Sequence, residues 1–268
     1  MARTSRVTNG ALIRAAAPLS ESAALDSGAT MLTNDTTVTW DGREVRGRRV
    51  SRLGAIELSS TPVRPDPVQA RHAVLDAVQS RGLDAVGWTK NGEALRRRLA
   101  LAHRILGDPW PDVSEEALLA RAEEWLDFDA LAAGRGSDAT SGLRGLLGWQ
   151  ESARFDEVDP ETITVPSGSR IRVDYPEPDS DTFPVLAVKL QECFGWTDGP
   201  TVCDGQVRVV LHLLSPARRP LAVTDDLASF WANVYPTVRA ENRGRYSKHP
   251  WPEDPMTAIP TKRTNRSL

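Results

Sequence analysis

Cysteine, lysine and histidine are scarce: two, four and four among 268 residues. Two cysteines, Cys193 and Cys203, exclude a cysteine-built metal framework and allow at most one disulfide. The N-terminus has no uninterrupted apolar stretch of the kind that opens a secretory signal. Free thiols in a reducing cytoplasm are therefore the expectation. Long hydrophobic runs are also missing. The most apolar stretches, 11–19 and 207–214, are short and each contains an Arg, so no membrane span is expected. The four His, at 72, 103, 212 and 249, lie far apart, and there is no His-Glu-x-x-His, no Cys-x-x-Cys and no Gly-x-Ser-x-Gly. None of the four lysines follows a glycine, which excludes a Gly-x-x-x-x-Gly-Lys phosphate loop. These absences leave no catalytic, metal-binding or cofactor-binding set. The chain alone is expected neither to bind nor to hydrolyse ATP.

What is present is ordinary for a globular protein: 40% hydrophobic and 26% charged residues, net charge −3. The charge is unevenly spread. Residues 1–66 carry nine arginines against seven acids, and residues 239–268 carry seven cations against three acids. Between them, residues 67–238 hold 17 cations and 26 acids. Two mildly basic ends flank an acidic middle, and only the ends suit a polyanion.

The first sixty residues read as strands: 11–17, then Thr36 to Trp40, a hairpin signal at Asp41-Gly42, Glu44 to Val50, and Leu53 to Leu58. This antiparallel meander would present a basic face with Arg43, Arg46, Arg48 and Arg49. Prolines at 62, 65 and 67 mark a linker, after which the period becomes helical. Helices are expected over Val68 to Gln79, Asn91 to Leu106, Ser114 to about Leu126, and in one or two short pieces over Leu143 to Phe155. In the second, Leu95, Leu99, Ala102 and Leu106 form the apolar stripe, with Arg96, Arg97 and Arg98 elsewhere. The glycines at 134 and 136 mark a loop, and Trp110, Trp125 and Trp149 read as core. Asp156-Glu157-Val158-Asp159 follows no apolar strand and reads as a solvated helix end.

The last third alternates types. A hairpin surrounds Pro166 to Ser169, and Val185 to Phe194 reads as an amphipathic helix with Cys193 turned to the core. Val207 to Leu214 is an apolar strand in which His212 shares a face with Val210 and Leu214. Thr224-Asp225-Asp226 caps a helix from Leu227 to about Asn242. Ser169, His212 and Asp225 supply the letters of a triad, but any chain of this size permits such a set. The tail, rich in proline from Pro250 on, should be extended and non-helical.

That tail interleaves Arg243, Arg245 and Lys248 with Tyr246 and Trp251. Cations neutralise phosphates and aromatic faces stack on bases. Equally, Tyr246 and Trp251 could pack back on the body as a strap, and the two roles can coexist. The run from Arg245 to Pro255 closely resembles the end of the HrpB-type bacterial ATP-dependent helicases, which usually reads Arg-Tyr-Pro-Lys-His-Pro-Trp-Pro-Glu-Asp-Pro; Ser247 stands where the family has proline. Val165 to Tyr175, Leu186 to Glu192, Val210 to Pro216 and Asp226 to Trp231 follow the family in the same order. Trp40-Asp41, Arg52 to Ala55 and Trp88 to Lys90 fit its middle.

The resemblance implies a DExH-box RNA helicase whose two motor domains, holding ATP and Mg²⁺, have no counterpart here. It makes this chain the later part of an OB-like barrel followed by the family's C-terminal region, whether as a separate gene, a split gene or a fragment. The expected class is α+β: an OB-like β domain over 1–61, a helical region over 62–158, an α+β domain over 159–242 and a basic, proline-rich tail over 243–268. Single-stranded RNA and the helicase motor domains, in cis or in trans, are the implied partners. The competing reading is a protein-interaction scaffold that never touches RNA.

Overall fold

The computed structural model describes residues 18, 20–133, 135 and 139–264. The strand expected over 11–17, residues 134 and 136 of the expected loop, and residues 265–268 of the tail lie outside the described residues. The first element among the described residues is a short helix, α1 (Glu21–Ser27), capped by the Ser20 hydroxyl. An antiparallel meander follows, in the order β1 (Leu32–Trp40), β2 (Val45–Leu53), β3 (Ile56–Val63). The Asp41 carboxylate accepts the N–H groups of Arg43 and Glu44 at 2.9 and 3.0 Å, while Gly42 adopts φ +96°. This closes the first hairpin at the expected place. The second turns at Gly54-Ala55, inside the segment expected to be one strand, and β3 runs on through Pro62, which sits on an edge where its missing N–H costs no ladder bond.

Helices take over at α2 (Pro67–Arg81), which carries a reciprocal capping box between Asp66 and Gln69 and a proline at its start. Next comes α3 (Lys90–Leu106), capped by Thr89. The segment expected as one helix from Ser114 breaks at Arg121 into α4 (Glu115–Ala120) and α5 (Ala122–Trp125). Then come α6 (Phe128–Ala132), α7 (Ala139–Gly145) and α8 (Trp149–Val158). Helix α7 crosses α5 closely: a Cβ on Gly142 would lie 1.8 Å from the Trp125 carbonyl oxygen. One core gathers Val74, Val78, Leu95, Leu99, Trp110, Trp125, Phe155 and their neighbours, and Trp40 of the meander reaches into it. Trp149, expected in that core, is instead 87% exposed at the start of α8.

A mixed sheet forms the remainder, built from β4 (Thr162–Thr164), β5 (Arg170–Asp174), β6 (Val185–Lys189), β9 (Val210–Leu214) and β10 (Pro220–Thr224), in the order β10-β9-β6-β5-β4. A small hairpin of β7 (Thr201–Val202) and β8 (Val207–Arg208) lies beside it. Strand β6 corrects the helix expected from Val185. Leu186, Val188 and Leu190 fit a period of two as well as Leu186, Leu190 and Cys193 fit a helix. Pairing antiparallel with β5 and parallel with β9 gives the β6 backbone its hydrogen bonds. A 3₁₀ turn over Leu190–Cys193 follows, and Cys193 does face the core.

The helix expected from Leu227 is also interrupted: α9 (Leu227–Ser229) passes through a π turn at Phe230–Val234 into α10 (Tyr235–Asn242). Pro236 has no N–H to give the carbonyl four residues back, and a wider turn absorbs that loss. Phe194, Phe230, Trp231 and Tyr235 form an aromatic group at the centre of this second core. Helix α3 belongs to both cores: Leu99 lies in the first and Leu101 in the second.

Candidate nucleic-acid interface

The four meander arginines do not share a face. Strand alternation places Arg46 and Arg48, opposite Thr39 and Thr37, on one side of β2 and Arg49 on the other; Arg43 sits in the turn. Arg46 is engaged by Glu44 at 2.6 Å and by Asp41 at 3.5 Å. Backbone N–H groups of Glu44 and Arg43 hold the Asp41 carboxyl below its ordinary value, so this pairing persists at neutral pH. Arg48 donates to the Ser60 hydroxyl at 3.3 Å. Arg43 and Arg49 are exposed and, among the described residues, have no carboxylate partner.

The tail departs from the extended form at its start, where Arg243 to Ser247 make turns. Trp251 then packs on the second core, and its indole N–H donates to the Tyr246 carbonyl at 3.2 Å. Further bonds pin the segment: Tyr235 Oη to the Pro252 carbonyl at 2.8 Å, Arg239 Nε to the Trp251 carbonyl at 2.9 Å, and the Gly195 N–H to the Pro255 carbonyl at 3.0 Å. Trp251 is thus a strap residue. Arg243, Arg245 and Lys248 remain exposed without a carboxylate partner among the described residues, and Arg245 lies over the Tyr246 ring at 5.6 Å. Burial, together with nearby Lys189, lowers the His249 pKa. The meander and tail cations ride on different cores.

A third polar region lies at the seam between the cores. Arg98, expected away from the apolar stripe of α3, is only 4% exposed. Its Nε donates to the Asp159 carbonyl at 2.7 Å, its Nη2 to Asp156 at 2.6 Å, and its guanidinium covers the Phe155 ring at 4.5 Å. Arg144 approaches the same Asp156 carboxylate at 3.4 Å. Burial opposes ionisation of Asp156, but the two guanidiniums prevail and hold its carboxyl below the ordinary value.

Asp159, expected in a solvated helix end, is fully buried. Burial pushes its carboxyl up to about 6, although the Cys203 thiol donates to it at 3.4 Å and Arg98 lies near. Both cysteines are free and buried, with their thiol pKa values raised by that burial. Helical spacing alone would have found Arg98, since 95, 98, 99 and 102 follow the i, i+3, i+4, i+7 rule. Nothing local in the sequence announces the burial of Asp159, because its surroundings come from the distant β7–β8 turn.

Two adjoining cavities of about 230 and 140 Å³ open over this seam, between α3, α7 and the β4–β5 hairpin. Lys90, Arg97, Arg98, Arg144 and Arg172 line them, with the carboxylates of Glu93, Glu161 and Asp174. Arg172 pairs with Glu161 at 3.4 Å, and Arg97 with Asp174 at 3.9 Å and with Glu177. Ser169, His212 and Asp225 do not form a triad: Ser169 lies in the β4–β5 turn, whereas His212 sits inside β9, in register with Ala187 and Val223 of its neighbouring strands.

Comparison with known proteins gives the arrangement a family. Residues 123–255 match the family model described as ATP-dependent helicase C-terminal. The chain is 40% identical over 239 residues to the ATP-dependent RNA helicase HrpB of Escherichia coli K12, an alignment covering 86% of this chain and 29% of that protein. The crystal structure of the E. coli DExH-box NTPase HrpB superposes with a TM-score of 0.70 at 38% identity, over 90% of this chain and 30% of that one. A second crystal structure, of the E. coli DEAH/RHA helicase HrpB, gives 0.61 at 37% identity, over 82% and 29%. The chain therefore spans under a third of the relatives it matches, and it belongs to the HrpB-type ATP-dependent helicases as their C-terminal region.

Proposed function

We propose that this region engages single-stranded RNA and packs against the helicase motor, in cis or in trans, without catalysing a reaction itself. The observation that carries this reading is the strap. It holds Arg243, Arg245 and Lys248 at the surface on a segment anchored by Trp251 and by backbone hydrogen bonds. Cations on an anchored segment lose little conformational freedom when they meet phosphate. Arg43 and Arg49 add free positive charge on the meander; Arg46, already paired, adds less. ATP and Mg²⁺ belong, on this reading, to motor domains outside the chain.

The test is oligouridylate binding by the chain at several salt concentrations. Affinity should be on the order of 10⁻⁴ to 10⁻⁶ M, because the net charge of the chain is negative. Replacing Arg243, Arg245 and Lys248 together by Gln should flatten the log–log salt slope by roughly two units, at about 0.7 for each phosphate no longer neutralised. A variant that binds like its parent at every salt concentration would overturn the tail's part in RNA contact. The second reading, a protein-docking scaffold, would then gain ground. It draws on Trp149, 87% exposed within the acidic middle of the chain.

A further inference from the structure

We propose that the groove between the π turn and the strap docks a segment of another protein, one that inserts a single apolar side chain flanked by arginine or lysine. The inference stands apart from the reading of RNA contact. Ala228, Trp231 and Ala232 form one wall of the groove, and Pro255 and Met256 of the strap form the other. The opening measures about 440 Å³, larger than either cavity at the seam. Both walls are tied down. The Trp231 indole N–H donates to the Trp196 carbonyl at 2.8 Å, and the Pro255 carbonyl accepts the Gly195 N–H at 3.0 Å. A preformed groove costs a partner little ordering of this chain.

The polar groups of the lining are already engaged. The Trp231 N–H is used within the fold, and the Thr197 hydroxyl donates to Asp198 at 3.4 Å. The Asp254 carboxylate accepts the Met256 N–H at 2.9 Å and the Thr257 hydroxyl at 2.8 Å. A small molecule needs converging polar groups to orient it. An apolar anchor needs only a dry pocket with a polar rim.

The rim sets the charge of the partner. Glu253 and Asp254 line it, and Asp198 is joined to it through Thr197. The Met256 N–H and the Thr257 hydroxyl hold the Asp254 carboxyl below its ordinary value, so its charge persists at neutral pH. Asp198 and Asp254 have no cationic partner among the described residues. Arg239 is already bonded to Glu253 at 3.1 Å and to the Trp251 carbonyl. Asp225 and Asp226, just before Ala228 in the chain, have the same sign. Uncompensated carboxylates around an apolar floor complement cations beside an apolar side chain, and they repel phosphate. Helix α10 separates this groove from the basic part of the tail. The groove adjoins the start of α10, whereas Arg243, Arg245 and Lys248 follow its end, eight residues or about 12 Å further on.

The test selects peptides from a phage-displayed random library on the full chain and measures labelled synthetic copies by fluorescence anisotropy. The selected peptides should share one Leu, Ile, Phe or Trp with Arg or Lys beside it. Ala232→Arg lays a cation over the apolar floor and should weaken their binding at least about tenfold. Asp198→Asn combined with Asp254→Asn keeps an oxygen for the Met256 N–H. It should weaken binding roughly threefold to tenfold at low salt, and less as salt rises. Ala232, Asp198 and Asp254 are exposed, and an unchanged melting temperature verifies the fold. Oligouridylate binding should be the same in the parent and in Ala232→Arg, which separates this groove from RNA contact. The proposal is overturned if no peptide is selected, if the selected peptides lack cations, or if Ala232→Arg binds them like the parent. Loss of oligouridylate binding in Ala232→Arg would assign the groove to RNA instead. A dimer of the parent in sedimentation velocity that Ala232→Arg abolishes would assign it to a second copy of the chain.

Discussion

The meander and the C-terminal sheet are both built from hydrogen-bonded strands, all antiparallel in the first and with one parallel pair, β6 and β9, in the second, and they differ in what holds them. In β1 to β3 only Trp40, Gly47 and Val50 are buried. In β6 and β9 every second residue is buried, with β-branched and leucine side chains between two neighbouring strands. The meander strands carry threonine, serine and arginine instead, so the ribbon has little core of its own. It leans on α2 through Trp40 and Val45, as a small sheet must lean on something. Strand-forming residues alone therefore specify a ribbon; apolar alternation on a covered face specifies a stable layer.

The sharpest test of that contrast is Phe194→Ala. Phe194 is fully buried against Trp231 and Tyr235, so its truncation should cost about 3–5 kcal/mol in denaturant unfolding. A loss under about 1 kcal/mol would mean that the second core is not tightly packed.

Next in size is the pH dependence of Asp159. Its folded carboxyl titrates near 6, and unfolding restores an ordinary value of about 3.9. Burial thus favours the protonated form. That contribution is full below about pH 4 and is lost as pH rises through 6, about 3 kcal/mol in all at 1.36 per unit. Arg98, Cys203 and Asp204 act on the same carboxyl, the first lowering its pKa and the last raising it. Urea midpoints of the parent and of Asp159→Asn, compared from pH 4 to 7.5, should diverge in favour of Asn as pH rises. A gap independent of pH contradicts the assignment.

Trp251→Ala should cost about 2–3 kcal/mol of stability, under the 3–5 of a fully buried ring, because the indole is only partly covered. Oligouridylate affinity should survive under folding conditions. A drop of about 1–3 kcal/mol in RNA binding with unchanged unfolding would identify stacking instead.

Smallest of all are Ile56→Ala and Leu58→Ala on the exposed end of the meander, each expected within about 0.5 kcal/mol. A larger loss at either would blur the contrast, since it would show that this face is covered in solution.

Where the sequence was legible, local chemistry decided the structure. The Asp41-Gly42 turn, the Ser114 cap and the Pro166 to Ser169 hairpin all lie where side-chain hydrogen bonds or glycine place them. The misreadings arose where distant residues outvoted local ones. Strand β6 owes its conformation to β5 and β9, and the break near Phe230 to a proline six residues further on. Of the candidate cations, the sequence separated meander from tail correctly, but four arginines in seven residues could not declare their faces without a register. Arg98 was legible and was hidden only by its neighbours Arg96 and Arg97. Trp149 shows the reverse: its residue type argues for burial, while its place at a helix start exposes it.

Helix α3 carries a consequence of another kind. Leu99 and Leu101, two positions apart, anchor separate cores, and Arg98 beside them is tied to Asp156 and Asp159. Neither core can melt without stripping one side of this rod. The two should therefore lose structure in a single cooperative step, with coincident transitions by tryptophan fluorescence and by circular dichroism. A shift of α3 along its axis would displace both cores at once, making the rod a stiff coupling between the meander side of the molecule and the strap side.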